Sequence, residues 1–305
     1  MQRELFGEIG KESVYKYSIF DGNICASILS YGAKLQSLKV GETQVVIGFD
    51  DIQSYVEDTN HFGGVIGRLC NRTKGGLLQI RDKTYQLETN KNGCHIHGGS
   101  SCFDNRLWHL VFMDETHVVL GLDCPAGESN YPGNLKVEVT YSIINNSLIF
   151  SYKVQSDAST KVNITNHSYF NLKGNSDVLT HKIIINSDEI VLRDENYLFT
   201  SKRKAFCQEK PCLLEEVKKS ACYLLRNKEA CKVQFGSIVM EVSTSLPAML
   251  LYCADSLKEI ENSNTKRSFR YCGFCPETHF VPNNVPILEK GEILQEWTKY
   301  KFNCI

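Results

Sequence analysis

Short segments that alternate apolar and polar residues follow one another along most of the chain, and turn residues separate them. The segments at residues 135–144 and 148–155 are rich in Val, Ile and Tyr, and Asn145-Asn146 stands between them. A period of two matches a strand with one buried face, and paired asparagines favour the turn of a β-hairpin. Similar segments occur at residues 14–20, 24–29, 35–40, 44–47, 117–122, 182–185, 223–225, 231–235, 238–242 and 249–252. This succession predicts an all-β fold, a large antiparallel β-sandwich with few short helices.

Helical signals are sparse, and the chain shows no internal break. Helices are predicted only around residues 51–56 and 213–218, and the charged segment 256–270 is predicted to form a long exposed loop. No internal repeat or low-complexity linker divides the sequence. A length of 305 residues suits one large domain or two ordinary ones. Because we find no linker, we predict a single domain over residues 1–305.

Composition places the chain among soluble globular proteins. Apolar residues make up 42% and charged residues 23%, and the formal net charge is -1. This balance gives no reason to expect a nucleic-acid partner or an anionic membrane surface. The first ten residues lack the apolar core of a signal peptide, and no apolar run approaches the ~20 residues of a membrane helix. We therefore expect a cytoplasmic protein.

The chain contains 13 cysteines, an odd number scattered along the sequence. Without an export signal they are expected to be reduced thiols. Cys272 and Cys275 form a CxxC pair, and Cys94 precedes His95, so a metal site is an alternative interpretation. A structural zinc site normally needs a second pair of ligands at close spacing, and no second CxxC exists. We predict that the protein binds no metal.

Residues 163–172 form an unusual segment in which polar and aromatic side chains alternate without an apolar face. His167 lies at its centre, with Tyr169 and Phe170 close by. Aromatic surfaces stack on sugars or bases, and histidine is the side chain that exchanges a proton near neutral pH. The segment is typical of a cleft wall, although a core histidine hydrogen-bonded by its neighbours is an equally simple interpretation.

Two glycine-rich segments offer binding groups. Residues 62–72 end in Asn71 and Arg72, which present several donors, but the segment lacks the pattern of a phosphate-binding Walker loop. Residues 92–99 contain His95 and His97. Two positions apart in an extended segment, these histidines point to opposite faces, so we expect one of them to face a cleft.

A fourth polar segment, residues 272–279, contains Glu277 after Pro276. A proline gives the backbone a rigid approach, and loops often carry functional side chains. Glu277 is therefore predicted to be a positioned carboxylate on a loop, with an ordinary surface charge as the alternative.

The four segments taken together resemble the aldose 1-epimerase, or galactose mutarotase, family. The resemblance rests on Gly-Arg-x-x-Asn-Arg, His-x-His-Gly-Gly, Phe-Asp-x-Arg-x-Trp, Asn-His-Ser-Tyr-Phe-Asn-Leu and Pro-Glu-Thr, in this order between residues 62 and 278. It implies the large sandwich of the galactose mutarotase type, known as a supersandwich. It also implies a monosaccharide substrate in a wide cleft and no cofactor, and it leaves open whether the protein is a monomer or a homodimer.

The resemblance also implies roles for individual residues. Glu277 would be the catalytic base and His167 the catalytic acid, while Asn71, Arg72 and His97 would bind the sugar. Interconverting α and β anomers requires a base for the C1 hydroxyl and an acid for the ring oxygen. We therefore expect a Glu277 carboxylate and a protonated His167, the latter favoured by nearby negative charge.

Two positions depart from the family pattern and bear on the substrate. Ser220 stands where the family usually has an aspartate, and Leu250 stands where it tends to have a glutamine. Both changes remove polar groups from the expected hydroxyl-binding wall. The alternatives to a mutarotase of free aldoses are an epimerase of another sugar, such as a hexose 6-phosphate, and a catalytically impaired carbohydrate-binding protein on the same fold.

Overall fold

The computed structural model describes residues 2–174, 176–217, 220–257 and 269–304. The first strands in chain order are β1 Gln2–Ile9, β2 Glu12–Asp21, β3 Ile24–Leu29, β4 Leu35–Val40, β5 Thr43–Gln44, β6 Val46–Ile47, β7 Val65–Ile66, β8 Arg72–Lys74, β9 Leu77–Ile80, β10 Lys83–Gln86, β11 Cys94–Ile96, β12 His109–Met113, β13 His117–Cys124, β14 Leu135–Ile144 and β15 Ser147–Ser156. The later strands are β16 Thr160–Lys161, β17 Thr165–Asn166, β18 Tyr169–Phe170, β19 Lys182–Ile185, β20 Ser187–Arg193, β21 Phe199–Ala205, β22 Cys212–Leu213, β23 Ala221–Leu225, β24 Glu229–Phe235, β25 Ile238–Thr244, β26 Ala248–Tyr252, β27 Cys275–His279, β28 Ile287–Leu288 and β29 Ile293–Cys304.

Helices are few and short, as the sequence predicts. The α-helix α1 spans Ile52–Glu57, and Asp51 caps it by accepting a hydrogen bond from the Ser54 backbone N–H at 2.8 Å. Single 3-10 turns are formed by Gly99–Ser101, Phe103–Asn105, Glu128–Asn130 and Pro282–Asn284. Within the described residues no helix is long and apolar enough to span a membrane.

A nine-stranded antiparallel sheet forms the centre of the fold, in the order β12-β13-β14-β15-β29-β25-β24-β19-β22. The predicted hairpin of β14 and β15 turns at Asn145 and Asn146, both with positive φ, 50° and 57°, as the tight turn of a twisted hairpin requires. Strand β29 lies in the middle of this sheet. It pairs with β15 on one side and β25 on the other.

Two five-stranded sheets contribute to the same hydrophobic core as the central sheet. One has the order β1-β2-β3-β4-β5, and β2 and β3 contact β14. The other has the order β21-β20-β23-β26-β27, and its inward side chains join those of β19, β24 and β25 in one buried cluster. Among the described residues there are also five two-stranded ribbons: β10-β9, β11-β8, β16-β28, β17-β7 and β18-β6. The expected all-β antiparallel sandwich is confirmed.

The predicted helix at residues 213–218 is wrong over its described part. Cys212–Leu213 forms strand β22 beside β19, and a turn follows at residues 214–217. Pairing with the sheet edge outweighs the local helical preference. Residue 218, and residues 258–268 of the predicted exposed loop, lie outside the described residues.

In the five-stranded sheet β21-β20-β23-β26-β27, successive side chains alternate between the core face and the opposite face. Met249 and Leu251 point into the main cluster, whereas Leu250 belongs to a separate buried cluster on the opposite face. Directly paired residues share a face, so one row crosses this sheet through Val191, Cys222, Leu250 and Glu277. This outward face forms one wall of the site.

Candidate active site

His167 lies between β17 and β18, and its backbone is fixed on both sides. Its N–H donates to the Gly64 carbonyl at 2.9 Å, and its carbonyl accepts from the Gly63 N–H at 3.1 Å. Gly63 has φ of 68°, and a Cβ there would lie 2.4 Å from the Leu35 carbonyl oxygen. A side chain at this glycine would therefore displace the segment that holds the imidazole.

The amides around His167 support the backbone and do not line the cleft. Asn166 is buried and donates to the Tyr141 hydroxyl at 2.9 Å, while Asn171 is buried and donates to the Cys272 carbonyl at 2.8 Å. Tyr169 stacks on Phe62 with ring centroids 4.1 Å apart. The expectation that residues 163–172 form a cleft wall therefore holds for His167 but not for Asn166 and Asn171.

Glu277 lies within strand β27, and the prediction that it sits on a loop is wrong. It pairs directly with Leu250 of β26, and only 1% of the residue is exposed. Pro276 can belong to this strand because β27 is the edge strand of its sheet, where a missing backbone N–H breaks no ladder bond on the open side.

The two proposed catalytic groups face each other. The Nε2 atom of His167 lies 3.7 Å from Oε1 of Glu277, and both side chains are buried. Nδ1 of His167 and Oε2 of Glu277 have no hydrogen-bond partner among the described residues. The pair thus has unused hydrogen-bonding atoms at a buried position, which is the arrangement expected of groups that act on a bound molecule.

Burial shifts the proton affinity of both groups towards their neutral forms. It raises the pKa of Glu277 to about 8, against an opposing effect of the Arg193 charge. Burial lowers the pKa of His167 to about 3, and positive charge at His61 acts in the same direction. Near pH 7 the pair therefore holds one proton, on Glu277. This differs from the expected imidazolium, because desolvation outweighs the attraction of nearby negative charge.

His97, Asn71 and Arg72 lie close to one another in the fold. The rings of His97 and His167 approach edge to face with centroids 5.9 Å apart, and the Asn71 backbone N–H donates to His97 Nδ1 at 3.3 Å. Arg72 begins β8, and its guanidinium carbon lies 5.4 Å from the centre of the Tyr197 ring. Burial and the charges of His61 and His167 hold the pKa of His97 well below its usual value.

Two other residues of the same motifs have structural roles. His95 is fully buried, with Nδ1 2.8 Å from the Glu88 carbonyl oxygen and Nε2 2.5 Å from the Tyr131 hydroxyl. Of the two histidines, only His97 therefore faces the cleft, as the alternation predicts. Arg68 is also buried and donates to the Pro132 carbonyl at 2.8 Å.

Sequence reasoning missed a third histidine in the cleft. The His61 ring lies 5.0 Å from that of His97 and 5.9 Å from that of His167. Its Nδ1 atom lies 2.6 Å from Asp104, whose carboxylate is also 3.6 Å from the Lys34 ammonium. Asp104 belongs to the quoted Phe-Asp-x-Arg-x-Trp motif, so that motif was the available signal for this contact.

His61, Cys102 and Asp104 are the group of described residues whose geometry would allow a metal ligand set. Their potential ligand atoms all lie within 4.8 Å of one another. Asp104 is already hydrogen-bonded to His61, and burial raises the pKa of the Cys102 thiol well above its usual value. A protonated thiol is a poor ligand, so hydrogen bonding accounts for this cluster. The twelve cysteines whose side chains are described are free thiols.

The wall beside Glu277 is apolar at Leu250, where the family pattern has a polar residue and the sequence predicted its loss. Leu250 and Cys222 are directly paired, buried, and on the same face as Glu277. Ser220 lies just before β23 with φ of 56°, and its backbone N–H donates to the Leu251 carbonyl at 2.7 Å. Sequence reasoning missed Cys222 and also Arg193, which ends β20 on this wall.

Comparison with known proteins agrees with these features. The family model for aldose 1-epimerase matches residues 15–303. Galactose mutarotase of Homo sapiens is 30% identical, over 99% of this chain and 98% of that protein. Aldose 1-epimerase of Escherichia coli K12 is 26% identical, over 92% of this chain and 93% of that protein.

Solved structures share the fold over nearly the whole chain. Galactose 1-epimerase from Lactobacillus acidophilus superposes with a TM-score of 0.91 at 23% identity, covering 99% of this chain and 98% of that one. An aldose epimerase homologue from C. elegans gives a TM-score of 0.88 at 23% identity, covering 95% and 99%. The galactose mutarotase-like form of the sandwich is thus confirmed. With a family match from residue 15 to residue 303, the chain belongs to the aldose 1-epimerase family.

Proposed function

We propose that the protein is an aldose 1-epimerase, or mutarotase, which interconverts the α and β anomers of an aldose by acid–base ring opening. The observation that carries the proposal is the buried His167–Glu277 pair, 3.7 Å apart, in which His167 Nδ1 and Glu277 Oε2 have no hydrogen-bond partner among the described residues. Binding alone does not require such a pair. Chemistry at a hemiacetal requires one proton acceptor and one proton donor at the same carbon.

The proposed reaction moves a single proton back and forth across the pair. With the cyclic sugar, the Glu277 carboxylate takes the proton of the C1 hydroxyl while the His167 imidazolium gives its proton to the ring oxygen, and the C1–O5 bond breaks. This leaves an open-chain aldehyde, a protonated Glu277 and a neutral His167. After rotation about C1–C2, the ring oxygen attacks the other face of C1. His167 regains the proton from the O5 hydroxyl, and Glu277 returns its proton to O1.

The shifted pKa values fit one half of this cycle. Burial favours protonated Glu277 and neutral His167, which is the state that accompanies the open-chain sugar. The cyclic sugar reacts with the charged pair, a Glu277 carboxylate and a His167 imidazolium. Binding of the sugar therefore has to stabilise the proton on His167. Hydrogen bonds from sugar hydroxyls to Oε2 of Glu277, which no described residue contacts by a hydrogen bond, would favour the carboxylate in this way.

We propose that Asn71, Arg72 and His97 hold the sugar, and that His61 extends this set. His61 contacts the His97 ring, and its Nδ1 is fixed by Asp104, so the orientation of its imidazole is set before substrate arrives. Arg72 brings positive charge to the same side of the cleft. Such a cation stabilises the negative charge that develops on the oxygen at C1 during ring opening.

The remaining expectations stay predictions. A single domain over residues 1–305 is supported by one buried cluster that contains residues from all three large sheets. The substrate class is a monosaccharide, and the proposed chemistry uses no cofactor and no metal. We also propose a cytoplasmic location, no nucleic-acid or membrane partner, and a monomeric or homodimeric state. These proposals rest on the sequence features described above.

Anomer interconversion can be measured directly. Freshly dissolved α-anomers of several aldoses are followed by polarimetry or by the NMR signal of the proton on C1, with and without the protein. Acceleration over the spontaneous rate in wild type, and its loss in Glu277→Gln, supports the proposal. Equal rates with and without protein for every aldose tested would refute it.

A further inference from the structure

Arg193 is an arginine of the cleft wall that forms no salt bridge with another described residue. It is the last residue of β20, and its guanidinium carbon lies 4.2 Å from the centre of the Phe199 ring. Its Nε atom is fully buried and has no hydrogen-bond partner among the described residues. A buried guanidinium N–H without an acceptor is costly, so a ligand atom is the natural candidate to satisfy it.

Arg72 approaches the same place from another element. It lies over Tyr197, two residues before Phe199, so one short segment holds an aromatic ring under each guanidinium. Burial, and next the charge of Arg72, lower the pKa of Arg193 to about 10, while the carboxylates of Glu277 and Asp255 oppose this shift. Arg72 and Arg193 form no ion pair within the part of the chain that the structure describes.

Two other arginines pair with carboxylates of the same strand, β20. Arg203, ten residues further along the same hairpin, lies 3.1 Å from Glu189. Arg226 lies 2.6 Å from Asp188. Both of these pairs are exposed, where pairing contributes little, whereas Arg72 and Arg193, like Arg3, Arg68 and Arg270, form no salt bridge among the described residues. Two adjacent cations in a cleft favour binding of an anion between them.

We propose that Arg193 is a specificity-determining residue that binds an anionic substituent on the sugar, while Arg72 keeps the role proposed above and adds positive charge nearby. The preferred substrate is then an aldose that carries a carboxylate or a phosphate away from C1, with C1 held between His167 and Glu277. This inference rests on the proposed function, because it places the sugar in the same cleft.

The apolar part of the wall fits the same substrate class. Leu250 and Cys222 offer no strong acceptor to a neutral hydroxyl beside Glu277. A neutral hexose would therefore leave a hydroxyl unpaired against this wall. A fork of guanidinium donors binds carboxylate or phosphate in a bidentate manner, which compensates in affinity for the missing hydroxyl contacts.

Binding and turnover are measured separately to test this. Calorimetric titration at pH 7 compares D-galacturonate, D-galactose 6-phosphate and D-galactose in wild type, Arg193→Met and the control Arg203→Met. We expect wild type to bind at least one anionic sugar at least ~10-fold more tightly than galactose. In Arg193→Met this ratio should fall at least ~10-fold, and in Arg203→Met it should stay as in wild type. The two anionic ligands distinguish a carboxylate site from a phosphate site.

The outcomes separate the two proposals. A wild-type protein that binds galactose as tightly as both anionic sugars, or an Arg193→Met variant with an unchanged ratio, overturns the role of Arg193 whatever the turnover. Absence of mutarotation for all three sugars, with Arg193-dependent binding of the anionic ones, instead overturns the proposed function and keeps the anion site. Loss of anion preference in both variants equally would point to general surface charge and would also overturn the inference.

Discussion

The imidazole of His167 and the carboxyl group of Glu277 lie 3.7 Å apart although they are held by different parts of the fold. His167 is fixed by backbone hydrogen bonds to Gly63 and Gly64, and Glu277 by its place in strand β27. The distance between the two groups is therefore set by two separate parts of the fold. Proton transfer depends on that distance, so the pair is the first target for testing.

Removing either member of the pair should abolish most of the activity. Glu277→Gln and His167→Asn are each expected to lower kcat by at least ~10²-fold, because each removes the proton acceptor or donor while keeping a similar shape. Glu241→Gln, an exposed carboxylate beside Lys232 on the central sheet, is the matched control. Mutarotation is measured by polarimetry. Near-native kcat in either pair variant would rule out the assignment.

The pH dependence of kcat should reflect a pair that shares one proton. With a pKa of about 8 for Glu277 and about 3 for His167, the pair loses its last proton above about pH 8 and gains a second one only in strong acid. We expect a broad plateau through neutral pH and a fall on the basic side near pH 8. The observed values belong to the pair and not to one residue. Activity that keeps rising through pH 9 would contradict this.

Glu277 should also make the stability of the protein depend on pH. Because burial raises its pKa from 4.5 to about 8, the folded state holds the proton more tightly than the unfolded state between these values. Stability from this group is therefore full at low pH and is lost as the pH rises through about 8. The Tm of wild type should drop relative to that of Glu277→Gln between pH 6 and pH 9.5. A constant difference across this range would show that Glu277 is not buried as described.

The binding residues should affect both kinetic constants. His97→Asn and Arg72→Ala are expected to raise KM and to lower kcat, since these side chains contact the sugar and also influence the charge at C1. His109→Asn, an exposed histidine of β12, serves as the control. Steady-state kinetics on the best aldose provides the measurement. If neither KM nor kcat changed, these residues would not contact the sugar.

Leu250 should limit the use of neutral hexoses. It lies directly beside Glu277, and a polar side chain there could hydrogen-bond a sugar hydroxyl. Such a bond contributes about 0.5–1.5 kcal/mol when both partners are neutral. Leu250→Gln, alone and with Ser220→Asp, is expected to raise kcat/KM for galactose by roughly tenfold in the double variant. Comparison across galactose, glucose, fucose, xylose and arabinose tests this. Strong galactose preference in wild type with no gain in the double variant would show that these positions do not contact the sugar.

Strands with one buried face could be predicted from the sequence because their alternation is local. Strands β14 and β19 were predicted with their observed bounds, Leu135–Ile144 and Lys182–Ile185. Strand β27 could not be recognised, since Pro276 interrupts the pattern and the position of β27 at a sheet edge, which tolerates proline, is a property of the whole fold.

The site could be predicted only where motifs marked it. His167, Glu277, Asn71, Arg72 and His97 were named from quoted patterns; His167 lies next to Glu277 and His97, and the Asn71 backbone is hydrogen-bonded to His97. His61 and Arg193 were missed because their surroundings arise from long-range contacts, with Asp104 for one and with Phe199 on the next strand for the other. The protonation of the pair could not be foreseen either, because it depends on burial.

Strand β29 has a consequence for how the protein is made. It lies between β15 and β25 in the central sheet, so residues 293–304 join the half built from β12–β15 to the half built from β19, β22, β24 and β25. During translation both halves leave the ribosome long before this strand does, each with an unpaired edge. His167 is therefore synthesised long before β29 and Glu277 shortly before it, and the central sheet closes only after residues 293–304 have emerged from the ribosomal tunnel.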